Sequence, residues 1–191
     1  TSDKLFIAAN NYKGKHNIKL SIVRYGNVMG SRGSVIPFFL QQRENGILPI
    51  TDERMTRFNI SLQQGVNFVL QCLGQMWGGE LFVPKIPSYR ILDVAKAIAP
   101  ECKIEIIGIR PGEKLHEEMI TETDALNSVE FKKYYVILPS SVKLGWTKDE
   151  FIKNYNLGLG KMCNFGFSYN SGTNKDFLTV NDLEELIQNH I

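Results

Sequence analysis

The chain has 191 residues, 43% of them apolar and 22% charged, with a formal net charge of +2. That is long enough for one domain with a real core, and its balance is ordinary for a globular protein. Without a Lys/Arg block it argues against nucleic acid or an anionic membrane surface as partner, and no apolar run approaches the roughly 20 residues of a membrane-spanning helix.

No amino-terminal stretch reads as a signal peptide. Cys72, Cys102 and Cys163 are far apart and form no C-x-x-C, which points to reduced, cytosolic thiols. His16, His116 and His190 are scattered, so no metal site is expected.

Ser2–Asn10 reads as the middle or end of an amphipathic helix, with Leu5, Phe6 and Ala9 on one face. The polar stretch 10–17 reads as a loop. Lys19–Tyr25 is a β-rich run compatible with a strand buried on both faces. It ends in Gly26–Ser34, where three glycines and two serines allow close backbone approach to a ligand. Asn27, just past the strand, can donate an amide N–H to a phosphate, and ligands of open α/β sheets sit at that end of the strands. A plain turn has the same composition. The loop is not G-x-G-x-x-G, so it carries no dinucleotide fingerprint.

Val35 starts a helix with Pro37 in its first turn, stopped near Asn45-Gly46. Leu48–Thr51 is a short extended piece. Arg54 and Arg57 follow, three apart, as a solvated pair or as phosphate-directed cations. Asn59 or Ser61 caps a helix over about 62–72. Gly78-Gly79 is a turn, Glu80–Pro84 a strand, and Ile91–Ala99 a helix ended by Pro100.

The stretch from Ile104 to Ile120 carries most of the functional reading. Ile104, Ile106, Ile107 and Ile109 read as a short buried strand. Arg110-Pro111-Gly112 breaks it, since Pro111 lacks an N–H and Gly112 tolerates positive φ. From Glu113 the spacing predicts a helix with Leu115, Met119 and Ile120 on one side and Glu117 and Glu118 on the other. The break holds a guanidinium and a carboxylate three residues apart. Arg110 suits phosphate oxygens and Glu113 can accept from a vicinal diol, the two features of a nucleotide diphosphate. A local Arg–Glu ion pair at a helix start fits the spacing equally well. Further on, 129–138 is extended, Trp146–Tyr155 has no clear pattern, and 165–174 is turn-rich. Thr179–Asp182 is a capping box that opens a closing helix.

Three ordered motifs, Arg24–Phe39, Ile50–Arg57 and Gly108–Glu117, together with Phe82–Pro87, resemble the extended short-chain dehydrogenase/reductase family. More narrowly they are similar to the bacterial inverting UDP-N-acetylglucosamine 4,6-dehydratases, which open the pseudaminic acid pathway used in flagellin glycosylation. Retaining dehydratases of capsule and O-antigen synthesis carry related motifs. The resemblance is to the family's carboxyl-terminal half. The glycine-rich turn that binds NADP and the Tyr-x-x-x-Lys of family members are not in this sequence, so no catalytic residue is expected in this chain.

The resemblance implies an α/β fold: the end of a Rossmann-type NAD(P)-binding domain over 1–34, then a smaller nucleotide-sugar-binding lobe over 35–191. A returning strand and helix lie at about 62–100 and a carboxyl-terminal extension follows. By motif, Asn27 would contact the diphosphate or sugar, Thr51 the uridine side, Arg57 and Arg110 the diphosphate, and Glu113 the ribose hydroxyls. Val28 and Arg32 would border NADP. The family reaction passes hydride from C4 of the sugar to NADP, loses water across C5 and C6, and returns hydride to C6 with inversion at C5. The implied partners are UDP-N-acetylglucosamine and further copies of the chain, in the cytoplasm, with neither nucleic acid nor membrane. A non-catalytic nucleotide-sugar-binding module is the alternative.

Overall fold

In the computed structural model, which describes residues 2–139, 146–154 and 160–190, the chain divides into two units interleaved in sequence. The first comprises Thr1–Tyr25, Val66–Lys85 and Met119–Ser168; the second comprises Gly26–Gly65, Ile86–Glu118 and Tyr169–Ile191.

The first unit is built on a five-stranded sheet, ordered Ile22–Val23, Leu81–Pro84, Tyr134–Ile137, Ser128–Glu130, Lys161–Met162. The first pair is parallel, Ile22 facing Leu81, and the other three are antiparallel. Leu81–Pro84 is buried at all four positions, as a strand flanked on both sides should be. Phe68 and Cys72 of helix Leu62–Gln75 pack with Phe82, Val136 and Phe151. Trp77 meets Phe151 and Trp146 edge-on, with ring centroids 5.1 and 5.7 Å apart. Phe151 belongs to helix Lys148–Asn154, in the stretch without a clear sequence pattern. Thr147 and Glu150 start that helix as a capping box: Thr147 N donates to the Glu150 carboxylate at 2.7 Å and Glu150 N to Thr147 Oγ1 at 3.2 Å.

Glu80 is fully buried here. Its carboxylate accepts from Trp77 N at 2.5 Å, Gly78 N at 2.7 Å and Ser21 Oγ at 3.0 Å, closing the Gly78-Gly79 turn. Burial nevertheless pushes its pKa up.

The expected strand Lys19–Tyr25, buried on both faces, is corrected to the two half-buried residues Ile22–Val23. Among the described residues they form the sheet's edge, so one flank of the run has no ladder partner there to order it.

The second unit combines a three-stranded sheet, Asn27–Val28, Thr56–Ile60, Ser88–Arg90, with a parallel pair, Ile47–Ile50 and Lys103–Ile106. Helices Val35–Gln42, Ile91–Ile98 and Val180–His190 cover a core that includes Ile36, Phe39, Leu48, Ile50, Val94 and Leu183. Ile91, Val94, Ala95 and Ile98 are all buried, the stripe that their spacing predicts. Thr179 and Asp182 cap the last helix reciprocally, at 2.8 and 3.2 Å.

Two expectations fail in this unit. The run Ile104–Ile109 is not a buried strand: the strand is Lys103–Ile106, and Ile106, Ile107 and Ile109 are 45–49% exposed. Among the described residues it pairs on one flank, with Ile47–Ile50. The helix from Glu113 does not form either; Glu118–Ile120 is a strand. Distant groups claim the backbone that a helix would use internally. Thr56 N donates to Leu115 O at 3.1 Å, Glu117 N donates to Ser171 Oγ at 2.8 Å, and Ser171 N donates to Glu117 O at 2.8 Å.

Candidate functional site

The second unit holds a cleft of about 560 Å3, within the roughly 300–1,000 Å3 typical of small-molecule sites. Three stretches of sequence build it. Asn27 and Arg57 come from adjacent strands of the three-stranded sheet. The parallel pair contributes its carboxyl ends: Thr51 follows Ile50, and Ile107 donates its N–H to Ile50 O at 2.9 Å. Gly33, Ser34 and Val35 bring in the start of helix Val35–Gln42. All five residues assigned to substrate from the motifs, Asn27, Thr51, Arg57, Arg110 and Glu113, line this one cleft.

The Arg110–Glu113 turn forms as the Pro-Gly pair predicts. Glu113 N donates to Arg110 O at 3.0 Å, and Gly112 takes φ 83°. The Glu113 carboxylate accepts from Arg110 N at 3.3 Å. It therefore braces the turn rather than pairing with the guanidinium. Arg110 is exposed and forms no ion pair among the described residues. Its charge is available to a ligand.

The other arginines divide. Arg54 is 72% exposed and pairs with Asp52 at 2.8 Å, outside the cleft lining. Hydrogen bonds from Arg54 hold the Asp52 carboxyl down at about 2. Arg57, with its side chain 14% exposed, is anchored from behind. Its Nη1 donates to Thr56 O at 2.7 Å and Leu115 O at 3.2 Å, and its Nη2 lies 3.1 Å from Met55 Sδ. Glu117 stands 3.9 Å from Nε and accepts from Phe58 N at 2.9 Å. Burial pushes the Glu117 carboxyl up, against the Phe58 N–H and the Arg57 charge.

The Gly26–Ser34 loop serves two ends. Gly33, at φ 76° with open space where a Cβ would point, borders the cleft. Gly26 serves packing instead: a Cβ there would lie 2.4 Å from Phe58 Cβ. Ser34 Oγ is buried without a hydrogen-bond partner and does not cap the helix it precedes. Free first-turn N–H groups and the helix dipole favour an anion at that end. Phe38, Pro49 and Ile107 give the cleft an apolar wall.

Val28 and Arg32 are not brought into the cleft. Val28 is half-buried in the strand beside Ile60, and Arg32 is exposed in the turn. Sequence reasoning passed over Ser34, Phe38 and Glu117. A helix-start position was the available signal for Ser34; nothing local marked Glu117, whose partners Phe58 and Ser171 lie far off in sequence.

Chemically the lining offers a free cation, a second anchored cation, hydroxyls from Ser34 and Thr51, one carboxylate and an apolar wall. It can bind and orient a phosphorylated, hydroxyl-bearing molecule. Among the described residues the lining includes no His, Cys or Lys.

Residues 1–139 match the family model described as Polysaccharide biosynthesis protein. UDP-N-acetylglucosamine 4,6-dehydratase (inverting) of Campylobacter jejuni is 50% identical over 191 residues, 99% of this chain and 57% of its own length. UDP-glucose 4-epimerase of Rickettsia canadensis is 38% identical over 151 residues, 76% of this chain and 44% of its own. The X-ray structure of Pen from Bacillus thuringiensis matches with a TM-score of 0.80 at 31% identity, over all of this chain and 55% of Pen. The chain spans about half the length of the curated relatives it matches.

Proposed function

The chain belongs to the polysaccharide biosynthesis protein family, and from that premise we propose that it is the UDP-sugar-binding part of a UDP-N-acetylglucosamine 4,6-dehydratase. The observation that carries this reading is the convergence of Asn27, Thr51, Arg57, Arg110 and Glu113 on one cleft, in a chain 50% identical to a protein of that name. Arg110 and Arg57, with the helix start at Ser34, suit the diphosphate. Glu113 reaches the ribose hydroxyls, Thr51 the uridine, and Asn27 the sugar or its adjoining phosphate. Phe38, Pro49 and Ile107 give the base an apolar surface. A charged anchor of this kind matters for a reaction in several steps at one sugar, because the ring must stay in register throughout.

The finer reading is a lyase of the C5-inverting type, at the entry to pseudaminic acid and flagellin glycosylation. It works in the cytoplasm as a homo-oligomer and depends on NADP. On this reading most of that cofactor's site belongs to the rest of the complete enzyme, and Val28 and Arg32 of this chain border it. A UDP-glucose 4-epimerase is the second reading, favoured by the Rickettsia relative. The inverting dehydratase ranks first because its similarity continues through 99% of the chain rather than 76%.

Titrating the chain with UDP-N-acetylglucosamine, with UDP as competitor, tests the binding reading; no binding at millimolar concentration would refute it. Incubating the complete enzyme with the same sugar nucleotide tests the reaction. A 4-keto product inverted at C5 is expected, and a simple 4-epimer would establish the second reading instead.

A further inference from the structure

Arg57 reaches the cleft from strand Thr56–Ile60, and its guanidinium rests on two carbonyls, Thr56 O and Leu115 O. These belong to segments far apart in sequence, so whatever ties the segments together decides where the charge sits. One tie is the bond from Thr56 N to Leu115 O, at 3.1 Å. The other comes from a third segment. Ser171, fully buried, accepts from Glu117 N at 2.8 Å and donates to Thr56 O at 3.2 Å. Thr56 O thus receives both the Ser171 hydroxyl and the Arg57 guanidinium. By holding the Glu117 backbone, Ser171 also sets the carboxylate that stands 3.9 Å from Arg57 Nε.

The segment that presents Ser171 is itself anchored on both sides. The Tyr169 hydroxyl accepts from Ile86 N and donates to Ile86 O, each at 2.9 Å. Asn174 Nδ2 donates to Ile86 O at 2.9 Å and to Ser88 Oγ at 3.0 Å. Ser171 has one hydrogen to give, and its neighbours report where it goes. With that hydrogen on Thr56 O, the 2.8 Å contact between the two hydroxyls needs Thr56 Oγ1 as its donor. Thr56 Oγ1 must then accept from His116 Nδ1, 2.8 Å away, so a neutral His116 carries its hydrogen on Nδ1. The ring is closely seated, since a Cβ on Gly172 would lie 2.6 Å from Nδ1.

We propose that Ser171 is a positioning residue for Arg57: its hydroxyl fixes Thr56 O and Glu117 and so sets the guanidinium before the diphosphate arrives. A long cationic side chain left free must have its rotamers frozen on binding, and one held beforehand escapes that cost. Ser171 lies beyond residues 1–139, the stretch that matches the family model, so the anchor draws a part from outside it. That the ligand is a nucleoside diphosphate rests on the function proposed above; the link between Ser171 and Arg57 does not.

Ser171→Ala removes the hydroxyl with little change in volume. UDP affinity is followed by calorimetry on the 191-residue chain, and the Arg57 Nε–H resonance by nuclear magnetic resonance. The variant is expected to shift that resonance and to bind about three- to tenfold more weakly. Asn174→Ala is the control: it loosens the same segment without touching Thr56 or Glu117, so it should lower the melting temperature and leave UDP affinity unchanged. In an Arg57→Ala background Ser171→Ala should cause no further loss, and in an Arg110→Ala background it should cost the same factor again. An unmoved Arg57 resonance, an equal loss in the Arg57→Ala background, or an equal loss from Asn174→Ala would overturn the proposal. If Ser171→Ala does not fold, the parent decides: its neutral His116 is expected in the Nδ1–H form. The Nε2–H form would overturn the proposal, because the Ser171 hydrogen would then lie on Thr56 Oγ1. A parent chain that binds no UDP would refute the UDP-sugar reading instead, and the Arg57 and His116 resonances would then decide the link.

Discussion

Replacing Arg110 by alanine separates ligand binding from folding in a way that Arg57 cannot. The Arg110 turn is held by main-chain groups and by the Glu113 carboxylate on Arg110 N, all of which an alanine retains. The guanidinium makes no ion pair among the described residues, so its loss strands no buried partner there. What disappears is a charge-assisted contact to phosphate, worth about 1.5–3 kcal/mol, or roughly ten- to hundredfold in affinity. Arg90→Ala is the control. Arg90 lies outside the cleft, with Asp93 at 3.5 Å and the Phe177 ring at 4.8 Å, so its loss trims surface contacts and leaves binding alone. Arg57→Ala should weaken binding and also lower the melting temperature, because Thr56 O and Leu115 O lose their shared donor. Calorimetry with UDP and thermal melts of the three variants supply both axes. If Arg110→Ala binds UDP as tightly as Arg90→Ala, the assignment of the cleft to a diphosphate is wrong.

Gly26→Ala should destabilise the fold by at least 1–3 kcal/mol, about the cost of overpacking, because its Cβ would lie 2.4 Å from Phe58 Cβ; an unchanged denaturant midpoint would contradict this. Glu80 and Glu117 both carry pKa values raised by burial above 4.5. Raised carboxyls bind protons more tightly in the folded state, so their contribution is complete below pH 4.5 and is lost as pH rises through the folded values. Denaturant midpoints measured from pH 4 to 8 should fall over that window, and Glu117→Gln should flatten the fall; a variant profile parallel to the parent's would count against it. Helix Leu62–Gln75 exposes Leu62, Val66, Val69, Leu70 and Leu73 at helical spacing, and Ile22–Val23 is a sheet edge. The chain is therefore expected to self-associate at tens of micromolar, and sedimentation as a concentration-independent monomer would refute that expectation.

Local chemistry made some of the site legible and left the rest hidden. Pro111-Gly112 specified the turn, and the spacing of Ile91, Val94, Ala95 and Ile98 specified a helix, because each depends only on near neighbours. Leu115, Met119 and Ile120 have helical spacing too. There Thr56 and Ser171, more than fifty residues away, took the backbone groups instead. Arg54 and Arg57 looked alike in sequence. Strand pairing separated them: Arg57 lies in Thr56–Ile60 and borders the cleft, while Arg54 lies in the turn before it and bonds Asp52. The Thr147–Glu150 capping box was readable and would have placed the helix at Lys148–Asn154.

The interleaving of the units has a consequence for how the chain is made. Ile22–Val23 leaves the ribosome about 60 residues before its partner, Leu81–Pro84. At roughly 5–20 residues per second, that strand waits about 3–12 s. Tyr134–Ile137, which covers the far flank of Leu81–Pro84, emerges later still. The second unit, meanwhile, cannot close before Val180–His190 delivers Leu183 to its core. Neither unit closes early in synthesis, so Leu81, Phe82 and Val83 stay open to wrong partners at least until Tyr134–Ile137 has emerged. A nascent chain of this design should depend on early chaperone contact more than one of equal length with its units in series.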